Sequence, residues 1–186
     1  CMAQQFDRLD ERLRGMIAQQ HIFFTATTVT GARINISPRS TEWFRVADDN
    51  TVLYLDQTGS GNETAAHLPK DGRMTIMLCS FAETPMILRL FGKGDVTPYS
   101  HPDYAALRET YFDGTEPAGA RQIVRLQIDL VQTSCGYGVP FFTFEGERDT
   151  LDKWAEARTP EDLKAYRRQK NARSLDGIET WAAKDA

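Results

Sequence analysis

TVLYLDQTGSGNETAAHL, the stretch from Thr51 to Leu68, joins three local signals in one short segment. It opens with an apolar run of strand-forming residues. A polar, glycine-bearing turn follows, and a short helix is predicted from Asn62. The first turn of a helix carries unpaired N–H groups at the positive end of the helix dipole. This strand, turn and helix start therefore suit a bound phosphate.

The same turn has a second interpretation that needs no ligand. Ser60 and Glu63 fit the capping box Ser-x-x-Glu, in which the Ser60 hydroxyl caps the helix and the Glu63 carboxylate reaches back to the Ser60 amide. The spacing alone favours this capping interpretation over phosphate binding. The segment contains neither a Walker A loop nor the Gly-x-Gly-x-x-Gly dinucleotide fingerprint.

Composition limits the classes of protein to which the chain can belong. Its 186 residues suit one domain, or one domain with a helical appendage, and 41% hydrophobic residues can form a sizeable core. The formal net charge of −4 argues against a general nucleic-acid binder. No apolar run approaches the roughly 20 residues of a membrane span, and the charged N-terminus lacks a signal-peptide core. We expect a cytoplasmic protein with no nucleic-acid or membrane partner.

Cysteines and histidines give no metal or disulfide signal. They are scattered along the chain: Cys1, Cys79, Cys135, His21, His67 and His101. No pair has metal-ligand spacing, and three cysteines are too few for a disulfide framework. The sequence therefore predicts no metal site and leaves the catalytic residues unassigned.

Alternating and β-branched runs predict six to eight strands, most of them joined by short turns. The clearest are Ile22–Thr30, Arg33–Ser37, Trp43–Val46, Thr51–Leu55, Arg73–Ser80, Met86–Val96 and Arg121–Thr133. Pro38 is predicted to end the second strand, and Gly92 and Gly94 mark bends or bulges in the sixth. Because successive strands lack crossover helices, we predict an α+β fold with an antiparallel, barrel-like sheet.

Helices are predicted at both ends of the chain and between strands. They cover Asp7–Gln20, the residues after Asn62, His101–Phe112 and the chain from Thr150 onward. Thr159 and Pro160 form a typical helix start. The polar tail from Asn171 to Ala186 is assigned low order. We expect a barrel domain over residues 1–148 and a helical extension over residues 149–186, packed on the barrel or on a dimer partner.

Arginines in predicted strands are further candidates for anion binding. Arg33, Arg73 and Arg89 lie in such strands, where a guanidinium is costly unless it is paired or faces a ligand. Each could bind a phosphate bidentately, and each also fits an edge position that points to water. The aromatic run Phe141–Phe144 favours the core or a subunit interface over a ligand-stacking wall.

Several stretches, taken in order, resemble one family. They are ARINISPRS, FRVADDNTVLYLDQTGSGNETAAHL, GRMTIMLC, ILRLFGKGDV, and QTSCGYGVPFF with GERDTL. Their order and spacing are similar to those of the pyridoxamine 5′-phosphate oxidase-related flavoproteins, in the subgroup with a C-terminal helical extension. The resemblance implies a split β-barrel that binds FMN non-covalently at a homodimer interface. It also implies an oxidoreductase that acts on an unassigned small-molecule substrate or electron donor.

The resemblance also assigns residues to the flavin. The strand along the flavin matches Arg33, Ile34, Asn35, Ile36, Ser37 and Pro38. Arg33 would meet the phosphate, and the backbone from Asn35 to Ser37 would face the isoalloxazine ring. The phosphate loop and helix start match Ser60, Gly61, Asn62, Glu63 and Thr64, which shifts the balance at this turn towards phosphate binding. The turn containing Cys135 and Gly136 would approach the flavin from the partner subunit.

The chain departs from the family's pattern at three places. Asn62, Glu63 and Thr64 stand where true pyridoxamine phosphate oxidases have basic residues, so amides and hydroxyls must carry more of the anion. Pro38 replaces a lysine, and the Arg-x-His signature near the C-terminus is missing. These departures argue against vitamin B6 oxidase activity. Two other functions stay open: a split barrel that holds flavin, haem or deazaflavin for storage or sensing, and a dimeric scaffold with a simple helix cap.

Overall fold

An eight-stranded antiparallel sheet forms the centre of the computed structural model, which describes residues 3–184. The strands are β1 Gln4–Phe6, β2 Ile22–Thr27, β3 Asn35–Ser40, β4 Phe44–Asp48, β5 Thr51–Gln57, β6 Arg73–Cys79, β7 Ile87–Pro98 and β8 Ala120–Ser134. They pair in the order β3-β2-β6-β7-β8-β5-β4, and β1 pairs with β8. The α+β antiparallel split barrel is confirmed.

Five helices flank the sheet: α1 Glu11–Ala18, α2 Glu63–Asp71, α3 Tyr104–Phe112, α4 Thr150–Glu156 and α5 Pro160–Lys170. The predicted start of α5 is confirmed, because Thr159 and Asp162 form a reciprocal capping box there. Helix α1 begins later than predicted. Residues Gln4–Phe6 form β1 and pair with β8. The Asp10 side chain caps α1 by accepting a hydrogen bond from the Leu13 amide at 2.8 Å. Within residues 3–184, no helix has the length and apolar character needed to cross a bilayer.

Strand β3 lies further along the chain than predicted, since it begins at Asn35 and the predicted start at Arg33 is wrong. It runs through Pro38 to Ser40 and pairs with β2 along its whole length. The prediction that Pro38 ends the strand is wrong, because β3 lies at an edge of the sheet. An edge strand tolerates proline, since one side of its ladder has no partner strand.

Strand β5 is buried from Thr51 to Asp56, because both of its faces are covered. One face contributes Val52 and Tyr54 to the main core, which also contains residues of α1 and β6. The other face contributes Leu53 and Leu55 to a smaller cluster beneath α3. Strand β5 therefore carries its last residues, including a carboxylate, into the protein interior.

Gly92 and Gly94 of β7 are both predicted as bends or bulges, but the structure gives them different roles. The register of β7 against β8 shifts between Phe91 and Gly92, so the first bulge is confirmed. A Cβ atom at Gly92 would lie 1.9 Å from the Gln127 carbonyl oxygen. The register is regular at Gly94, so the prediction of a bulge at this residue is wrong. There a Cβ would lie 2.9 Å from Leu68, so glycine makes room for α2.

Replacing Gly92 with alanine is expected to lower the free energy of unfolding by about 1–3 kcal/mol, because backbone atoms must shift to admit the methyl group. Urea denaturation measures the effect. Gly138→Ala is the matched control, since an added Cβ there meets nothing within 4 Å. Equal stabilities for the two variants would contradict the packing role of Gly92.

The C-terminal tail is anchored on the rest of the chain by buried residues, so the prediction of low order is wrong for residues 171–184. Asn171, Ser174 and Thr180 are buried, and a short 3-10 turn spans Trp181–Ala183. Residues 185–186 lie outside the described part of the chain. The polar composition was misleading because the partners of these side chains are on the barrel, far away in sequence.

Candidate functional site

A cleft of about 1050 Å³ opens beside strand β3. Its walls are β3, the turn between β5 and α2, the segment after β6, and residues 142–152. Small-molecule sites typically enclose roughly 300–1000 Å³. The cleft therefore has room for a large cofactor together with a second, smaller molecule.

The turn before α2 lines this cleft without the capping box that the sequence favoured. Asn62 is the N-cap residue of α2, and its side chain makes no capping hydrogen bond. The Glu63 carboxylate instead accepts hydrogen bonds from the Leu175 amide at 3.0 and 3.2 Å, and Ser60 is exposed. The prediction of a capping box is wrong, because the Glu63 carboxylate binds the Leu175 amide of the tail and not the Ser60 amide. The first amides of α2 are thus left without a side-chain cap.

Asn62 provides a buried donor at this helix start. Asn62 is 2% exposed, and its Oδ1 accepts a hydrogen bond from Gln122 Nε2 at 3.0 Å. Among the described residues, its Nδ2 has no acceptor. Buried amide donors nearly always have a partner, so this one fits a ligand that accepts hydrogen bonds.

A buried group of charges lies next to Asn62. The fully buried Asp56 side chain pairs with Arg39 and with Arg121, whose Nε and Nη2 both lie 2.9 Å from Asp56 Oδ2. Gln122 Nε2 donates to the same oxygen at 2.7 Å. Two guanidinium groups against one carboxylate leave this group with one positive charge. Both arginines line the cleft, so the surplus charge suits an anion there.

Asp56 and Arg39 remain charged across the ordinary pH range. Burial alone would raise the pKa of Asp56, but the guanidinium groups of Arg121 and Arg39 outweigh it and hold that pKa below its usual value. Burial would lower the pKa of Arg39, yet the Asp56 carboxylate raises it above its usual value. Arg39 also lies over the Tyr54 ring, 5.0 Å from its centroid, and its buried Nε has no acceptor within residues 3–184.

The lowered pKa of Asp56 predicts a loss of stability in acid. A carboxylate whose pKa falls on folding stabilises the protein above its unfolded pKa, about 3.9, and loses that contribution as the pH falls through the folded pKa. We expect the urea midpoint of the wild type to fall below about pH 4. Asp56→Asn, which cannot titrate, should show a smaller fall. Parallel pH profiles for the two proteins would contradict this role.

Arg33 lies apart from the cleft wall. Its side chain is 72% exposed and forms an ion pair with Asp176, while its backbone amide donates to the same carboxylate at 2.8 Å. Its assignment to a phosphate stays a prediction. The arginines of β6 and β7 also have protein partners: Arg73 pairs with Asp71, and Arg89 donates to Ser134 Oγ at 3.1 Å.

The next residues of the strand lie along the cleft. Asn35 and Ser37 line it, and the Ser37 hydroxyl donates to Asn35 Oδ1 at 3.1 Å. Ile34 and Ile36 are 70% and 66% exposed. Because β3 has a partner strand on one side only, the backbone between Asn35 and Ser37 keeps a free hydrogen-bonding edge.

The structure brings together only part of the predicted site within one chain. The cleft is lined by Asn35, Ser37, Ser60, Gly61, Asn62, Glu63 and Thr64. Cys135 and Gly136 follow β8 instead, where a Cβ at Gly136 would lie 2.8 Å from the Met86 amide nitrogen. Their approach to a flavin in a partner subunit stays a prediction.

An aromatic segment covers one side of the cleft. His21 stacks on Phe144 with ring centroids 3.7 Å apart, and Phe81 meets Phe142 edge to face at 5.3 Å. Phe142 and Phe144 are nevertheless exposed. The prediction that the run Phe141–Phe144 lies in the core is therefore wrong. That the run lies at a subunit interface stays a prediction.

Sequence reasoning missed Arg39, Asp56 and Arg121. A signal for two of them was present, because Asp56 ends a continuous apolar strand and Arg121 begins an alternating one. Buried charges at such positions require a partner of opposite sign. Arg39 gives a weaker signal, since it follows Pro38, which the sequence pattern predicts as the end of the strand.

Comparisons of sequence identify the family. The sequence profile described as Pyridoxamine 5′-phosphate oxidase matches residues 9–135. A curated relative, the pyridoxamine 5′-phosphate oxidase family protein ustO of Aspergillus flavus, is 37% identical over 190 residues. This alignment covers 93% of the chain and 76% of the relative.

Solved structures with low sequence identity support the fold alone. A single-residue variant of HupZ from Group A Streptococcus superposes with a TM-score of 0.55 at 18% identity, covering 67% of this chain and 98% of HupZ. A Lactobacillus delbrueckii protein provisionally named a pyridoxamine 5′-phosphate oxidase gives 0.51 at 17% identity, covering 68% and 94%. With the profile and the curated relative, the chain belongs to the pyridoxamine 5′-phosphate oxidase family.

Proposed function

We propose that the chain is an FMN-binding oxidoreductase that acts on a small molecule in the cleft beside β3. The observation that carries the proposal is the pair of buried donors without acceptors among the described residues, Asn62 Nδ2 and Arg39 Nε, beside a buried charge group of Arg39, Arg121 and Asp56 that keeps one positive charge. A phosphate would supply acceptors and negative charge to both. The residues present therefore fit the phosphate end of FMN.

The start of α2 would hold that phosphate. The uncapped amides of its first turn, the Asn62 side chain and Arg39 all donate hydrogen bonds, and charge-assisted bonds of this kind are the stronger ones. Arg121 would contribute indirectly: it offsets the Asp56 carboxylate, so that the positive charge of Arg39 stays available to the phosphate. This arrangement explains how an anion could bind although Asn62, Glu63 and Thr64 provide no cation.

The edge of β3 would orient the ring system. Its free backbone groups between Asn35 and Ser37 can donate to and accept from the polar edge of an isoalloxazine, and the aromatic segment would exclude water. A bound flavin supplies hydride or electron transfer. The chain's own residues bind and orient, and no side chain is assigned as an obligatory acid or base.

The absorbance spectrum of the purified protein tests the proposal, followed by identification of the ligand released by heat. We expect near-ultraviolet and blue absorption, released FMN, and oxidation of reduced nicotinamide in the presence of an acceptor. Bound flavin without turnover would favour storage or sensing. A colourless protein that also fails to bind added FMN would overturn the proposal.

We also propose that a second copy of the chain completes the cleft. Phe142 lines the cleft, and further large apolar side chains are exposed beside lining or site residues or on the turn after β8: Ile34, Ile36, Tyr137, Phe141 and Leu175. Such a concentration of exposed apolar surface is typical of an interaction site. A homodimer would bury it and would bring the turn of Cys135 towards the flavin of the other subunit.

Light scattering should give twice the chain's mass of 21.0 kDa. Ile36→Glu should shift the population to monomer, because it places a charge within the apolar surface, and should weaken FMN binding. Ala106→Glu is the matched control, since it adds the same side chain at an exposed position of α3. A monomeric wild type that binds FMN fully would contradict the dimer.

A further inference from the structure

We propose that Asn171 and Trp181, both in the C-terminal tail, are positioning residues that make the anion subsite select a phosphorylated flavin over an unphosphorylated one. The inference rests on the proposed function, since it concerns the same cleft. Neither side chain needs to touch the ligand. Each acts through a hydrogen-bond partner in the cleft wall.

Asn171 joins the two halves of the anion subsite. Its side chain is fully buried, and its Nδ2 donates to the Gly59 carbonyl at 2.8 Å. Its Oδ1 accepts from Arg121 Nη1 at 3.0 Å. One amide group therefore fixes the turn before α2 relative to the guanidinium that pairs with Asp56.

The extension holds Asn171 from both sides. At the end of α5 its backbone amide donates to the Arg167 carbonyl at 2.7 Å. Its own carbonyl accepts from the Thr180 hydroxyl at 2.5 Å, and the Thr180 amide donates to Ala172 at 3.0 Å. The position of the amide is thus set by helix α5 and by the returning tail together.

Trp181 and Asp56 together fix which atom of Asn62 is available to a ligand. The Trp181 indole Nε1 donates to Gln122 Oε1 at 2.7 Å, while Gln122 Nε2 donates to Asp56 and to Asn62, so the orientation of the Gln122 amide is held from both ends. Asn62 must then present its Oδ1 to Gln122. Its Nδ2 is left as the free buried donor, which favours an anion at the start of α2.

The neutrality of Asn171 matters as much as its shape. Asp56 already neutralises one of the two guanidinium groups, so a second carboxylate beside Arg121 would cancel the remaining positive charge. Asn171→Asp keeps the size of the side chain and an acceptor for Arg121, but it loses the donor to the Gly59 carbonyl. It should therefore weaken the binding of a phosphate without removing the cleft.

The test compares FMN and riboflavin binding to the flavin-free protein by fluorescence titration. Asn171→Asp should raise the dissociation constant for FMN by at least about tenfold, and Trp181→Phe by about threefold or more, while riboflavin changes by less than about twofold. Arg173→Ala is the control, because Arg173 pairs with Glu179 within the same tail. Its FMN affinity should match the wild type.

A purely structural role would weaken both flavins equally, and that result would overturn the inference, as would unchanged FMN binding. If the wild type binds neither flavin, the proposed function fails, and inorganic phosphate becomes the probe. Phosphate should then raise the thermal midpoint of the wild type but not that of Asn171→Asp. Equal shifts, or no shift in either protein, would overturn the inference separately.

Discussion

Replacing Asp56 with alanine is expected to lower the free energy of unfolding by about 3–5 kcal/mol, the largest effect on stability that the structure predicts. The Asp56 carboxylate is fully buried between two guanidinium groups, Arg39 and Arg121. Its removal would leave two cations in the interior without a counter-charge. Gln122 would also lose one of the two acceptors of its amide nitrogen and keep only Asn62 Oδ1.

Urea denaturation at neutral pH measures this loss, and an exposed ion pair provides the control. Asp95 pairs with Arg125 at 2.9 Å, but both side chains are about half exposed. Asp95→Ala should therefore cost about 0.2–1 kcal/mol. If the two alanine variants lost equal stability, burial would not be what makes the Asp56 group costly to break.

The second large effect is expected on ligand binding, from the replacement of Arg39 by alanine. The change removes a buried donor without an acceptor among the described residues, and it removes the surplus positive charge of the group formed by Arg39, Arg121 and Asp56. FMN should bind about 1.5–3 kcal/mol more weakly, which is roughly 10- to 150-fold. Riboflavin should change much less. Asp56 keeps Arg121 and Gln122 as partners, so the variant should remain folded.

Arg33 provides the comparison for this experiment, because the family resemblance assigns the phosphate to it. Arg33→Ala removes an exposed arginine that pairs with Asp176. A loss of FMN affinity similar to that of Arg39→Ala would show that Arg33 leaves Asp176 for the phosphate. If Arg33→Ala binds FMN normally while Arg39→Ala does not, the buried arginine carries the site. Unchanged affinity in Arg39→Ala would contradict its role.

The sheet could be predicted from the sequence because its signals are local. Alternation identified β8, β-branched residues identified β2, and the glycine at the β7 bulge was correctly located. The end of β3 at Pro38 was wrong, since a sequence pattern does not tell whether a strand lies at an edge. Topology alone decides that a proline is tolerated there.

The site was less predictable because its contacts connect distant parts of the chain. The spacing of Ser60 and Glu63 matched a capping box, but the Leu175 amide takes the Glu63 carboxylate. Asp56 and Arg121 lie in different strands, and Asn171 reaches both halves of the cleft wall from the tail. Local spacing cannot reveal such partners. The polar composition of the tail therefore predicts low order, although Asn171 and Trp181 make hydrogen bonds to residues of the site.

Titration of the flavin-free wild type with FMN and with riboflavin tests the central claim most directly, because the two ligands differ only in the phosphate. Within residues 3–184, Asn62 Nδ2 and Arg39 Nε are donors without acceptors, and the group of Arg39, Arg121 and Asp56 keeps one positive charge for the phosphate. We expect FMN to bind at least about 100-fold more tightly than riboflavin, with a difference that shrinks as salt is added. Equal affinities, or no binding of either ligand, would contradict a phosphate site at the start of α2.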